Sequence, residues 1–146
     1  MKLYFCKSND LGGFLIRLFT FSRWNHVAIE FNGTVYEAVS GDGVRKIPES
    51  HFRWPEMEVV EIDAPNPLAA VNFLEQQVGK PYDWMALVAL PFGRNWQSPL
   101  KWFCSELVAK AVVMTGHPNF FIKKHRIFPS HLWAVAPFLK KKRLKQ

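Results

Sequence analysis

One stretch constrains this chain more than any other. From Trp24 to Val39 the residues alternate with a period of two, Val27, Ile29 and Phe31 against His26, Ala28 and Glu30, and Asn32-Gly33 interrupts the alternation midway. That period is the period of a half-buried strand. Asn-Gly between two such runs is the strongest short hairpin signal, because its tight turn needs positive φ at both central residues. A two-residue turn there puts Phe31 opposite Thr34, Ile29 opposite Tyr36, Ala28 opposite Glu37 and His26 opposite Val39. One face then carries Val27, Ile29, Tyr36 and Ala38. The other carries His26, Ala28, Glu30, Val35, Glu37 and Val39. A slip of one residue would turn every side chain to the wrong face, so burial of either face specifies the register.

Around the hairpin, short strands come first and helices later. Residues 3–6 read as a strand. After the Asn9-Asp10-Leu11-Gly12-Gly13 turn region, Leu11, Phe14, Leu15, Leu18 and Phe19 recur at spacings of three and four, which predicts an amphipathic helix. Such a stripe is usually core and only occasionally a membrane-surface face. Gly41-Asp42-Gly43 is a turn, 44–47 a strand ended by Pro48, and 59–62 a strand ended before Pro65. Asn66 caps a helix with Pro67 at its first position, Leu68, Val71, Leu74 and Val78 as its buried stripe and Gly79 as its end. Residues 83–90 read as helical and 91–99 as a loop. A helix opening at Cys104 buries Cys104, Leu107, Val108, Ala111, Val112 and Thr115 and ends at Gly116, and Ser130 caps a last helix that stops near Pro137. No repeat or linker divides the 146 residues, a length that buries a core without staples. The expectation is a single α+β domain, an antiparallel sheet packed against helices, with a basic tail at 140–146.

The formal charge is +7, and the run Lys140-Lys141-Lys142-Arg143-Leu144-Lys145 carries five of the nineteen basic residues. Most such runs are solvated tails; the sharper alternative is attraction to an anionic surface such as lipid, cell-wall polymer or nucleic acid. Lys123, Lys124 and Arg126 add a second cluster. The aromatics, however, lie among Leu, Val and Ile at core-like spacing and are not interleaved with Lys and Arg, which speaks against a nucleic-acid platform. The longest apolar run, 85–92, is cut by Pro91 and falls far short of a bilayer span, so no transmembrane segment is expected. No signal-length apolar stretch follows Met1-Lys2, which predicts a protein made in the cytoplasm.

Cys6 and Cys104 lack C-x-x-C spacing, so neither a disulfide scaffold nor a zinc ribbon is indicated. Cys6 sits in a strand and reads as core. Cys104 opens a helix, where unpaired N–H groups and the positive dipole end favour a thiolate. On the hairpin, Glu37 is a diagonal neighbour of His26 at about 7–8 Å between Cα atoms, close enough to accept the Nδ1 proton and fix the tautomer. Glu30 shares that face and is the rival. The thiol is expected against the His26 and Glu37 face. His51, His117, His125 and His131 have no i, i+4 pairing and no cysteine at ligand spacing, so no metal or other cofactor is expected.

His26-Val27-Ala28-Ile29, Val35-Tyr36-Glu37-Ala38, Gly79-Lys80-Pro81-Tyr82-Asp83, Cys104-Ser105-Glu106-Leu107-Val108 and Pro129-Ser130-His131-Leu132 together resemble the YiiX/YaeF-like group of permuted papain-like enzymes, in the NlpC superfamily of cysteine hydrolases. The likeness spans nearly the whole chain, in the order histidine, polar residue, cysteine; ordinary members run cysteine, histidine, polar residue. It implies a circularly permuted papain-like fold over 1–146, with Cys104 as nucleophile, His26 as general base and Glu37 as orienter. Tyr82 would lie near the thiol, binding substrate or stabilising the oxyanion, or simply packing. Permuted enzymes similar to lecithin:retinol acyltransferase usually carry a third histidine and an Asn-Cys nucleophile motif; here Glu37 and Phe103-Cys104 stand instead.

The implied activity is cleavage of an amide bond through a thioacyl-enzyme, with cell-wall peptide, as in peptidoglycan, as the substrate class. Two alternatives stay open. One is a lipid acyl hydrolase or acyltransferase held at an anionic membrane by the 11–19 segment and the basic tail. The other is a non-catalytic module that binds cell wall or polyanion. A cytoplasmic enzyme reaches the wall only by release on lysis or by a secretion system.

Overall fold

The Asn32-Gly33 hairpin forms in the register that the alternation requires. Both turn residues take positive φ, 47° and 80°. Ile29 pairs with Tyr36, Glu30 with Val35 and Phe31 with Thr34. The computed structural model describes residues 1–85, 100–119 and 127–140. Its elements in chain order are β1 (Lys2–Lys7), α1 (Leu11–Thr20), β2 (His26–Phe31), β3 (Thr34–Val39), β4 (Gly43–Pro48), a 3-10 turn (Glu49–His51), β5 (Glu56–Glu61), α2 (Pro67–Gln77), α3 (Cys104–Met114) and α4 (Pro129–Leu139). The strands form one antiparallel sheet in the order β4-β3-β2-β1-β5, and the architecture is α+β. No helix among the described residues is long and apolar enough to cross a membrane.

The strand order explains how each face is covered. β4 and β5 lie at opposite edges, so the segment between them must cross the sheet, and Phe52 and Trp54 come to rest on Tyr4, Cys6, Ala28 and Val35. The other face, with Leu3, Phe5, Val27, Ile29, Tyr36 and Ala38, packs against α2, α3 and α4. The helix that opens at Cys104 was expected on the His26 and Glu37 face. It packs instead on the Val27 face, because the crossing segment already occupies the first. The expected stripe of α3 is buried throughout, Thr115 included.

Other departures have local causes. β5 runs earlier than the expected 59–62, because Glu56, Met57 and Glu58 pair along β1 without an apolar pattern to announce them. In α2 the buried residues are Ala70, Leu74 and Gln77, while Leu68 and Val78 are exposed. Gln77 is turned inward to accept from Trp102 Nε1 at 3.1 Å and Lys80 Nζ at 2.6 Å. The cap of α4 is Phe128, not Ser130; its N–H donates to His131 Nδ1 at 3.0 Å. Pro137 lies inside α4, which continues to Leu139, since a proline in the last turn leaves few later bonds to lose. The largest departure is α1. Leu11, Phe14, Leu15, Leu18 and Phe19 face outward, and the buried residues are Gly13 and Ile16. Of the helix read over 83–90, Asp83 is not helical and Trp84 and Met85 are; its residues 86–90, the loop 91–99, Lys123, Lys124, His125, Arg126 and the tail 141–146 lie outside the described residues.

Candidate active site

Cys104, His26 and Glu37 meet at the end of the sheet where β2 begins and β3 ends. His26 is the first residue of β2, and Cys104 the first of α3. His26 Nε2 bonds Glu37 Oε2 at 2.8 Å, and the Cys104 thiol lies beside the ring, near enough to favour its charged form. Nε2 is committed to Glu37. This reverses the expected use of the two nitrogens. Glu37 sits diagonally across on β3, and only the nitrogen farther from the backbone spans that gap. The ring is held in plane by Trp54, stacked 4.6 Å away at 14°.

The electrostatics follow from burial and neighbours. Burial of the His26 ring opposes its charged form, but the neighbouring Cys104 and Glu37 outweigh that cost and raise its pKa to about 9. Glu37 has no exposed surface. Burial pushes its carboxyl up, yet His26 and then Arg45 hold it below the usual carboxylate range. Arg45 stands directly opposite Glu37 on β4, donates Nε to Glu37 Oε1 at 2.9 Å and holds Nη2 2.8 Å from the same oxygen as an ion pair. Asp42 accepts in turn from Arg45 Nη1. Both carboxylate oxygens of Glu37 are thus engaged.

Glu30, the rival orienter, is elsewhere. It accepts from the Gly33 N–H at 2.6 Å and lies 3.8 Å from Lys2 Nζ, closing the far end of the hairpin. Cys6 is buried in β1, and burial pushes its thiol well up. That is core behaviour.

Tyr82 reaches the site through a relay of backbone bonds. Gly79 N–H donates to Val44 C=O at 2.8 Å, and Val44 N–H to Lys80 C=O at 2.8 Å. The segment then pairs with Trp102, just before Cys104, through Trp102 N–H to Pro81 C=O at 3.2 Å and Asp83 N–H to Trp102 C=O at 3.1 Å. Gly43 makes this approach possible: its φ is 74°, and a Cβ there would overlap the Lys80 carbonyl oxygen. Tyr82 packs against Phe103 and Trp84, and burial, with the Cys104 sulfur beside it, pushes its hydroxyl up.

His26 and Tyr82 share the wall of a cavity of about 360 Å³, completed by Trp54, Val39, Ser40 and the start of α1. Cys104 itself is 1% exposed. The ladder of α3 begins with Leu107 N–H to Phe103 C=O, so the N–H groups of Cys104 and Ser105 precede it, at the positive end of the helix. Ser105 Oγ donates to Ile127 C=O and fixes the start of α3 against the segment before α4. Chemically, this is a thiol, an imidazole that carries a proton, a carboxylate that orients it and backbone donors beside the sulfur. Among the described residues no cluster of three or more His, Cys, Asp or Glu could hold a metal ion.

Sequence reasoning missed Arg45, Asp42 and Trp54. A signal for Arg45 existed: carrying the hairpin register through the Asp42 turn puts it opposite Glu37, an opposite-charge cross-strand pair. Trp54 lies in an irregular segment with no such periodicity. No protein-family model matches the chain, and no curated protein matches it.

Proposed function

We propose that the protein is a cysteine hydrolase that cleaves an amide bond through a thioacyl-enzyme. One observation carries this: a buried histidine bonded at Nε2 to a carboxylate, with the thiol of a helix's first residue beside it. His26 takes the thiol proton, and Cys104 Sγ attacks the acyl carbon. The oxyanion is stabilised by N–H groups at the start of α3. His26 then delivers its proton to the leaving amine, and water, deprotonated by His26, releases the acid. Glu37 holds the ring and balances its charge, and Tyr82 borders the acyl site. This reading agrees with the resemblance to permuted papain-like enzymes, which suggests cell-wall peptide as substrate. A lipid acyl substrate is the second reading, favoured by the outward apolar face of α1 beside the cavity.

The test is alkylation by iodoacetamide at neutral pH, read by mass spectrometry at Cys104. Native protein should react at least about tenfold faster than His26→Ala, the range in which base assistance acts. Equal rates would refute the Cys–His pair. Digests of peptidoglycan and of phospholipid with native and Cys104→Ala protein then separate the two substrate classes.

A further inference from the structure

We propose that the Tyr82 ring is a gate between the cavity and the Cys104 sulfur, and that it admits slender groups to the thiol more readily than broad ones. The inference rests on Cys104 as the nucleophile. That sulfur has to meet an acyl carbon, yet Cys104 is 1% exposed and is not among the described residues that line the cavity, whereas His26 and Tyr82 both are. The base thus faces the cavity while the thiol stands behind its wall. Tyr82 is a part of that wall next to the thiol. Its ring packs on Phe103, the residue before Cys104, with ring centres 5.9 Å apart, and its hydroxyl is near enough to feel the charge of the sulfur.

Of these two wall residues, one is fixed and the other can turn. His26 is bonded to Glu37 and stacked on Trp54. The backbone around Tyr82 is pinned as well, by Trp102 N–H to Pro81 C=O at 3.2 Å and Asp83 N–H to Trp102 C=O at 3.1 Å. The Tyr82 side chain has no such tether. Buried tyrosines usually hydrogen-bond through the hydroxyl, and here Tyr4 donates to Glu49 and Tyr36 to Glu75 Oε1 at 2.6 Å. The Tyr82 hydroxyl has no hydrogen-bond partner among the described residues, so the ring is held by packing alone. Trp84, which meets it edge-on at 5.4 Å and lines the same cavity, is itself half exposed. Rotation of the Tyr82 side chain past Trp84 opens the way to the thiol without breaking a backbone bond, a motion that admits a substrate and closes behind it.

The test compares alkylation of Cys104 by iodoacetamide and by the broader N-phenylmaleimide, on the full chain at neutral pH, read by mass spectrometry. Both reagents take the same thiolate, so the ratio of their rates, divided by that ratio on free cysteine, reports access and not acidity. Tyr82→Ala should raise the maleimide-to-iodoacetamide ratio by about tenfold or more, a barrier difference of about 1.4 kcal/mol. Tyr82→Phe should keep the native ratio, since the ring and not its hydroxyl blocks the way. An unchanged ratio in Tyr82→Ala would overturn the proposal, and so would Tyr82→Phe matching Tyr82→Ala. Native protein inert to both reagents while Tyr82→Ala reacts with both would support it; a thiol inert in both proteins would overturn it. Cys6, fully buried in β1, is the control for folding, because local opening leaves it unmodified and unfolding exposes it. If Cys6 reacts in Tyr82→Ala, Tyr82→Leu supplies the comparison. The iodoacetamide rate of His26→Gln judges the Cys–His pair by itself: a rate equal to native would refute the pair, and the ratio in Tyr82→Ala would still decide the gate.

Discussion

Replacing Arg45 by Met tests whether Glu37 is held from outside as well as by His26. The substitution keeps much of the side chain's length and removes the Nε bond to Glu37 Oε1 at 2.9 Å together with the ion pair to Nη2 at 2.8 Å. A hydrogen bond to a charged group contributes about 1.5–3 kcal/mol, and breaking a fully buried pair costs about 3–5 kcal/mol. Arg45, however, is 40% exposed, so solvent screens the pair and water can enter to bond Oε1. The lower end applies, about 2 kcal/mol, which for a domain of this size is a fall in Tm of about 6 °C. Arg45→Lys should recover part of this, because one ammonium replaces a two-pronged guanidinium.

The acid limb of stability carries a second signature. Glu37 is held below its unfolded pKa, so its contribution is present above that pKa, about 4.3, and is lost as pH falls through the folded value. Without Arg45 the folded value rises and the loss begins at higher pH. Urea unfolding of both proteins between neutral pH and pH 3 reads both effects. A variant within about 0.5 kcal/mol of native, the spread of ordinary surface changes, with the same acid limb would refute the assignment of Arg45 as the outer support of Glu37.

Three further outcomes are expected. His26, raised from 6.5 to about 9, adds stability that is complete below pH 6.5 and disappears as pH rises to 9. Urea titrations should show a loss of up to about 3 kcal/mol in that window, absent from His26→Gln; equal slopes would discount the ion pair. Gly43→Ala should destabilise by about 2–3 kcal/mol through left-handed strain and the push on Lys80, measured by thermal melting; an unchanged Tm would mean that the 79–82 segment is not seated as described. Glu30→Gln should leave Cys104 alkylation at the native rate while Glu37→Gln slows it, and the reverse ranking would exchange their roles.

The site was legible where it depended on period and turn chemistry. Asn32-Gly33 set the register, and the register alone put Glu37 within reach of His26 and sent Glu30 to the other end of the hairpin. The start of α3 at Cys104 was equally plain, since its stripe ends at Thr115 and Gly116. What failed were choices between two sides. The face that receives α3 depends on where the 49–55 crossing lies, and that depends on β5 pairing with β1, a long-range contact with a polar pattern. The nitrogen that meets Glu37 depends on side-chain reach, which register alone leaves open.

The orientation of α1 belongs to the same class and has a deeper cause. Periodicity tells which face of a helix is apolar; it does not tell which face is inside, because that is decided by what the rest of the chain offers as a seat. Here the seat is Ser8 and Asn25, polar groups that accept from Arg17 and leave room only for Gly13. An outward Gly13 and Arg17 would strand the Ser8 carbonyl against leucines, at about 1–3 kcal/mol for a buried group left unpaired, and leave Asn25 Oδ1 with the Ser8 N–H alone. An inward apolar stripe would also need the space that Asn25 occupies immediately before His26. The polar seat thus follows from building the entry to the His26 strand out of Asn25, and the apolar face is displaced outward, while Gly12, Gly13 and Ile16 line the cavity. A local rule broken beside a candidate site, with its compensation visible in the same residues, is where function is to be sought first.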